Sequence, residues 1–102
     1  MPRLVAPPVP QPGPKIVRLM FPIINLKIPL LDALRVPVGA KVLSAAVVDT
    51  SVAFDLLVPD PRTTREMTIP CVIVRVGGDA SRAVGMHHVG VLDNAYHVFV
   101  GT

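Results

Sequence analysis

All three histidines of this chain lie within one stretch, residues 86–100, which reads MHHVGVLDNAYHVFV. Imidazoles this close in sequence are typical of a metal site, a catalytic acid–base pair, or the polar face of a β-hairpin. Apolar residues alternate on both sides of Asp93-Asn94. Since Asp and Asn tolerate the positive φ that a two-residue turn requires, the pattern favours a hairpin.

The position of this turn predicts which histidines share a face. A two-residue loop pairs the flanking residues as Leu92–Ala95, Val91–Tyr96, Gly90–His97 and His88–Phe99. Because side chains alternate along a strand, His88 and His97 are expected on one face and His87 on the other, with the valines. His88 and His97 are then diagonal neighbours whose backbones lie about 7–8 Å apart.

This arrangement serves neither metal binding nor catalysis well. A closed zinc site needs four ligands, and the nearest carboxylate, Asp93, sits at the turn. Histidine catalysis needs a nucleophile or an orienting acid, and neither can be named. The one cysteine, Cys71, lies in an apolar run and is expected to be a buried, unreactive thiol. We therefore expect no metal site, no cofactor and no enzymatic activity.

A surface role is the remaining interpretation of the histidines. We expect His88 and His97 on a face that meets solvent or a neighbouring subunit, while the valine face packs inward. Arg75 and Arg82 precede them in the same part of the chain. Together with the two histidines, these arginines are candidates for a small anion pocket or a subunit interface.

The elements that must position these side chains are short strands. Lys41 opens a run that follows a turn at Pro37 and Gly39, and Asp49-Thr50 links it to the next run as a hairpin. Candidate strands cover residues 15–21, 41–48, 51–58, 67–76, 86–92 and 95–100, with 26–34 as an edge strand or loop. This spacing predicts an all-β fold, a small antiparallel sandwich or barrel of about 6–7 strands.

The N-terminal residues differ from the rest in composition. Prolines exclude a helix or an internal strand there and favour an extended conformation. We therefore divide the chain into an extended, Pro-rich, basic arm over residues 1–20, which leads into the first strand, and a β-domain over 21–102. The arm residues expected to contact a partner are Arg3, Pro7, Pro8, Pro10, Pro12, Pro14, Lys15 and Arg18.

The overall composition favours a small domain that assembles. The 102 residues are enough for one domain, and only 17% are charged while 51% are apolar. Low charge predicts apolar surface covered by another subunit, hence a homo-oligomer. No run approaches the about 18 apolar residues of a membrane span, and no signal peptide is visible, so we expect synthesis in the cytoplasm. Basic residues interleaved with stacking aromatics are absent, so nucleic-acid binding is not expected.

Several short segments resemble a family of small proteins from tailed-phage genomes and prophages, whose chemistry is not established. VPVGAKVLS at 36–44 is similar to the family's M-P-x-G-A-x-I-L-S, and YHVF at 96–99 to its closing F-H-V-F. Phe21-Pro22, FDLLVPDP at 54–61 and HVGV at 88–91 add weaker similarity. VGGD at 76–79 replaces the family's usual G-T-G-H loop. The resemblance implies a phage origin and a compact β fold.

Three classes of function follow. The first is a structural protein of the virion, a capsid-decorating or stabilising subunit whose arm contacts the major capsid protein or another virion protein. The second is a small oligomeric phage protein that sequesters a host nucleotide signal or inhibits a host protein. The third, an enzyme, lacks a visible constellation. The first is favoured because the low charge, the basic arm and the small β-domain all suit assembly.

Overall fold

A computed structural model describes residues 13–29 and 31–101 of the chain. Seven strands form one curled sheet that closes about half of a barrel, which confirms the all-β prediction. The strands are β1 (Lys15–Pro22), β2 (Ala33–Pro37), β3 (Lys41–Val48), β4 (Ser51–Val58), β5 (Glu66–Arg75), β6 (His87–Leu92) and β7 (Tyr96–Val100). The only helical turn in these ranges is a 3₁₀ turn at Ser81–Ala83, and none of their residues forms a helix able to span a membrane.

The strands follow the order β1-β4-β3-β6-β7-β5-β2 across the sheet. Neighbouring strands are antiparallel except for β3 and β6, which are parallel and meet at Ala45 and Gly90. β1 and β2 therefore form the two edges. β1 is eight residues long, whereas β2 has five and ends at Pro37, which cannot donate a ladder hydrogen bond.

Turn residues recognisable in the sequence connect these strands. Asp49, with φ of 53°, lies in the two-residue link of the β3–β4 hairpin, in which Val48 pairs with Ser51. Before β3, Ala40 N–H donates to the Pro37 carbonyl at 3.0 Å. Gly39, with φ of 84°, supplies the positive φ that this turn requires. The predicted hairpin and turn are both confirmed.

The core lies on the concave face of the sheet, which we call the inner face. Strand β4 shows why: Val52, Phe54, Leu56 and Val58 occupy alternate positions on one face and are all at most 2% exposed. The Phe21 ring packs edge-on against Phe54, with centroids 5.8 Å apart. No polar or charged residue is buried in the described part of the chain, so apolar burial holds the fold together.

The β6–β7 hairpin differs from the predicted register. Leu92 pairs with Tyr96, so the loop has three residues rather than two. Asp93 and Asn94 do form the turn, with φ of 52° and 53°, but Ala95 is an extra residue whose carbonyl accepts from Val76 N–H at 2.7 Å. The predicted pairs Leu92–Ala95, Val91–Tyr96 and Gly90–His97 are therefore wrong.

A second irregularity, at Val89, restores the register at the far end of this hairpin, where His88 pairs with Phe99 as predicted. Between the two irregularities, the β6 side chains lie on the opposite face from the one predicted. Val91 therefore lies opposite His97 rather than on the valine face, and Leu92 enters the core, where it is 0% exposed.

The first strand, predicted over residues 15–21, is confirmed as β1. β1 starts at Lys15, so Lys15 and Arg18 are sheet residues, and Pro14 immediately precedes them. Arg3, Pro7, Pro8, Pro10 and Pro12 lie outside the described residues, as does the conformation predicted for the arm.

Candidate functional site

The histidine pair, His88 and His97, lies on the convex face of the sheet, which we call the outer face. His88 on β6 pairs with Phe99 on β7, and His97 stands two residues before Phe99 on the same face. Their side chains meet: His88 Nε2 and His97 Nδ1 are 2.9 Å apart. The face predicted for the two histidines is confirmed, and their rings contact although their backbones are diagonal neighbours.

The contact between the rings is a hydrogen bond in which one nitrogen donates and the other accepts. Two doubly protonated imidazoles cannot form this bond, since every ring nitrogen is then a donor. The ring centroids lie 5.1 Å apart at an interplanar angle of 40°. The Phe99 ring stands edge-on to His88, with centroids 5.2 Å apart, and restricts its movement.

The predicted anion face is only partly assembled. Arg75 lies opposite Tyr96 on β7, one residue before His97, so it leaves the sheet on the other face. Arg82 is exposed in the 3₁₀ turn. Within residues 13–29 and 31–101, no hydrogen bond or ion pair joins either arginine to the histidine pair. The structure therefore brings His88 and His97 together without Arg75 or Arg82.

A cleft of about 540 Å³ opens beside the histidine pair. The parallel strands β3 and β6 pair at Ala45 and Gly90, and residues that precede this pair on both strands line the cleft. His87 and His88 line one wall, and Lys41 lies on the opposite one. The remaining lining is largely apolar, from residues such as Leu43, Met67, Ile69 and Val100. His87, exposed at the start of β6 as expected, faces this cleft rather than the pair.

Gly90 permits the close approach of β6 to β3. A Cβ at this position would lie 1.9 Å from the Ala45 carbonyl oxygen, far inside van der Waals contact. A glycine within a strand pattern is itself a signal of close backbone approach. Gly90 is therefore the residue from which this contact could have been predicted.

An ion pair on the outer face was not anticipated. Arg18 on β1 lies opposite Asp55 on β4, and its guanidinium donates to both carboxylate oxygens, at 2.7 Å and 3.1 Å. This hydrogen bonding, together with the opposite charge, holds the pKa of Asp55 below its ordinary value. Arg18 and Asp55 are 37 positions apart in sequence. Only the strand order and register bring them together, so the sequence alone could not predict this ion pair.

Cys71 is a core residue with no chemistry in view. It is 1% exposed on the inner face of β5. Burial, and secondarily the charge of Asp32, raises the pKa of its thiol to about 11. Because the thiolate is the nucleophilic form, a thiol with this pKa is unreactive at neutral pH. The predicted burial of the thiol is confirmed.

Comparison with known proteins supplies no further guide to the site. The chain matches no family model, no curated protein and no solved structure.

Proposed function

We propose that this chain is a non-enzymatic structural protein of a phage virion, a subunit that decorates or stabilises the capsid. In this proposal it assembles with further copies of itself and with the major capsid protein or another virion protein. The observation that carries the proposal is the set of exposed apolar side chains on the edge strand β1, which follows the Pro-rich segment in sequence.

β1 exposes apolar side chains that the core does not use. Ile16 is 67% exposed, Met20 is 48% exposed and Val17 is 38% exposed. By register, Ile16 and Met20 lie opposite Leu57 and Ala53, on the outer face. Arg18 lies between Ile16 and Met20 on this face, and Val17 lies opposite Leu56 on the inner face. Exposed apolar side chains on an edge strand are candidates for a protein–protein contact. A neighbouring subunit would remove these side chains from water.

The backbone of β1 supports the same role. Among residues 13–29 and 31–101, β1 pairs with β4 alone, so its other edge presents N–H and C=O groups that no described strand pairs with. The opposite edge strand, β2, is shorter and ends in Pro37, which makes it a poorer template. If another chain adds a strand to this sheet, β1 is therefore the edge at which we expect it.

Charge on the β1 side is divided between free and internally paired groups. Arg18 is held by Asp55 of the same chain, so it is a weak candidate for an acidic partner. Lys15 forms no ion pair within the described ranges. In the proposal, attraction to an acidic capsid surface comes from Lys15 and the arm before it, and weakens with added salt.

The alternative is a protein that sequesters a host nucleotide signal or inhibits a host protein. It is less well supported because the cations expected in an anion pocket are dispersed, with Arg75 on the other face of the sheet from the histidine pair. The cleft beside His87, His88 and Lys41 is the first place to seek such a ligand.

Quantitative mass spectrometry of purified particles from the encoding phage or induced prophage tests the proposal. A shell component should be present at a fixed and high copy number per particle. Absence from particles, with the chain abundant in the infected lysate, would refute the virion role and favour the sequestering alternative.

The contribution of β1 can be tested separately with point variants. Ile16→Lys and Met20→Lys should each reduce binding to particles that lack the chain, because a charge replaces an apolar contact. Val84→Lys is the matched control, since Val84 is 83% exposed in a loop away from β1. An equal loss in all three variants would remove β1 as the contact surface.

The arm requires a truncation that spares the sheet. Since β1 begins at Lys15, removing residues 1–14 leaves the strand intact, whereas removing 1–20 would delete most of it. Particle binding should fall while the far-ultraviolet circular dichroism of the β-domain is retained. Unchanged binding would show that the arm is not the contact.

A further inference from the structure

The histidine pair brings two imidazole nitrogens close enough to share one ligand. Both rings are on the outer face and reach solvent, His88 being exposed and His97 half-buried. Their facing nitrogens, His88 Nε2 and His97 Nδ1, stand 2.9 Å apart. We propose that His88 and His97 form an open, two-histidine chelating site for a divalent transition metal, with Cu²⁺ as the preferred ion. This inference does not rest on the proposed virion role.

The separation of the two nitrogens is compatible with chelation of one ion. Imidazole nitrogens bind divalent metals at about 2.0–2.1 Å. Two such nitrogens separated by an angle of about 90° at the metal lie about 2.9 Å apart, whereas tetrahedral ligands lie about 3.3 Å apart. The observed 2.9 Å therefore matches neighbouring positions of a tetragonal site. Tetragonal nitrogen and oxygen coordination is typical of Cu²⁺ and Ni²⁺, and Cu²⁺ binds more tightly of the two.

The same nitrogens can both offer a lone pair without net proton release. In the neutral hydrogen-bonded pair, one facing nitrogen carries a hydrogen. Binding needs that ring to move its proton to its other nitrogen, through solvent, so that His88 is protonated at Nδ1 and His97 at Nε2. Each ring must then turn away from the line that joins the two nitrogens, so that both lone pairs point toward one ion. The sites of protonation change while the number of protons does not.

The strand neighbours of the pair are uncharged and supply no other ligand, while the positive charge of Lys41 lies on the cleft that His88 also lines. The residues opposite the two histidines in the sheet are Phe99 for His88, and Val74 and Val91 for His97, all uncharged. No cluster of three or more potential ligands occurs in the described ranges. Water must therefore fill the remaining positions, as exposure of the pair permits. The site is an open one, unlike the closed four-ligand site dismissed from the sequence.

Titration of the purified full-length chain with Cu²⁺ in a non-coordinating buffer tests the proposal. Isothermal calorimetry should give one equivalent of bound Cu²⁺, and electron paramagnetic resonance should show a tetragonal spectrum with coupling to two imidazole nitrogens. His88→Ala and His97→Ala should each weaken binding by at least about tenfold, since even partners outside the ligand set change metal affinity by about 10–100-fold.

His87→Ala is the matched control because it removes the same side chain from the adjacent position, which faces the cleft. It should leave both the affinity and the two-nitrogen coupling unchanged. Circular dichroism of each variant establishes that the sheet is retained. The proposal fails if His87→Ala weakens binding as much as the other two variants, or if the double variant His88→Ala/His97→Ala binds Cu²⁺ as tightly as the unaltered chain.

Discussion

The two faces of the same sheet are built on different principles. On β4, Val52, Phe54 and Leu56 point inward and are 0% exposed. Asp55, between Phe54 and Leu56, points outward to Arg18. The buried side chains of the inner face are all apolar, whereas the outer face carries an ion pair and the histidine pair. Alternation along the strand separates burial from polar chemistry within a few ångströms.

This difference teaches where stability and chemistry reside. Removing apolar area from water dominates folding, and that area is concentrated around Phe54 on the inner face. The outer contacts are solvent-exposed, and exposed ion pairs contribute little because water and salt screen them. Substitutions on the two faces should therefore differ widely in their effect on the free energy of unfolding.

The largest difference is expected between Phe54→Ala and Met20→Ala. Phe54 is fully buried, so its loss leaves a cavity and should lower the free energy of unfolding by about 3–5 kcal/mol. Met20 is 48% exposed on the outer face, and its truncation should cost about 0.5 kcal/mol or less. Urea denaturation measures both values. Equal losses would overturn the assignment of the core to the inner face.

The contact between β3 and β6 should be nearly as sensitive. Gly90→Ala places a Cβ against the Ala45 carbonyl oxygen and should cost on the order of 3 kcal/mol, because both strand backbones must move. Gly13→Ala introduces the same methyl group where no atom lies within 4 Å, so it serves as the control. Thermal unfolding of the two variants makes the comparison, and similar melting temperatures would rule out the close approach.

The buried thiol predicts a pH dependence that belongs to the inner face. An unfolded cysteine has a pKa of about 8.5, while burial raises the pKa of Cys71 to about 11. The contribution of the buried thiol to the free energy of unfolding is therefore complete below about pH 8.5. It is lost as the pH rises toward about 11, at about 1.4 kcal/mol per pH unit. Urea denaturation of the chain and of Cys71→Ala should therefore give free energies of unfolding whose difference decreases as the pH rises over this range. A constant gap would contradict the raised pKa.

The outer ion pair predicts a smaller effect at the opposite end of the pH scale. Arg18 lowers the pKa of Asp55. The contribution of the ion pair to the free energy of unfolding is therefore present above the ordinary aspartate pKa of about 3.9 and is lost as the pH falls through the lowered pKa. The melting temperatures of the chain and of Asp55→Asn should therefore differ slightly at neutral pH and converge in acid. Arg18→Gln should behave like Asp55→Asn, and a pH-independent difference would show that the pair contributes nothing.

Local signals in the sequence were enough for much of this fold. Asp49-Thr50, Gly39 and Asp93-Asn94 were identified as turns because their residue types suit the required backbone angles. The alternation in β3 and β4 then defined a hairpin with its core face. The prediction that His88 and His97 share a face was correct because the two irregularities of the hairpin compensate each other. His88 therefore pairs with Phe99, as a regular two-residue turn would also require.

The errors have a common physical cause. Ala95 is the third loop residue: its N–H donates to the Leu92 carbonyl, and its carbonyl accepts from Val76, a residue outside the hairpin. The parallel pairing of β3 with β6 likewise joins Ala45 to Gly90, far away in sequence. Neither contact has a local signature strong enough to shift a register, and each moved side chains from one face to the other.

The sequence by itself determined the class of the fold, the number of strands to within one, and the separation of apolar from polar residues along each strand. These follow from turn chemistry and from a side-chain period of two, which are properties of short segments. Only the tertiary structure decided that Arg18 would meet Asp55 and that two imidazole nitrogens would stand 2.9 Å apart. Such distances depend on strand order and register, which the whole sheet sets by packing one core.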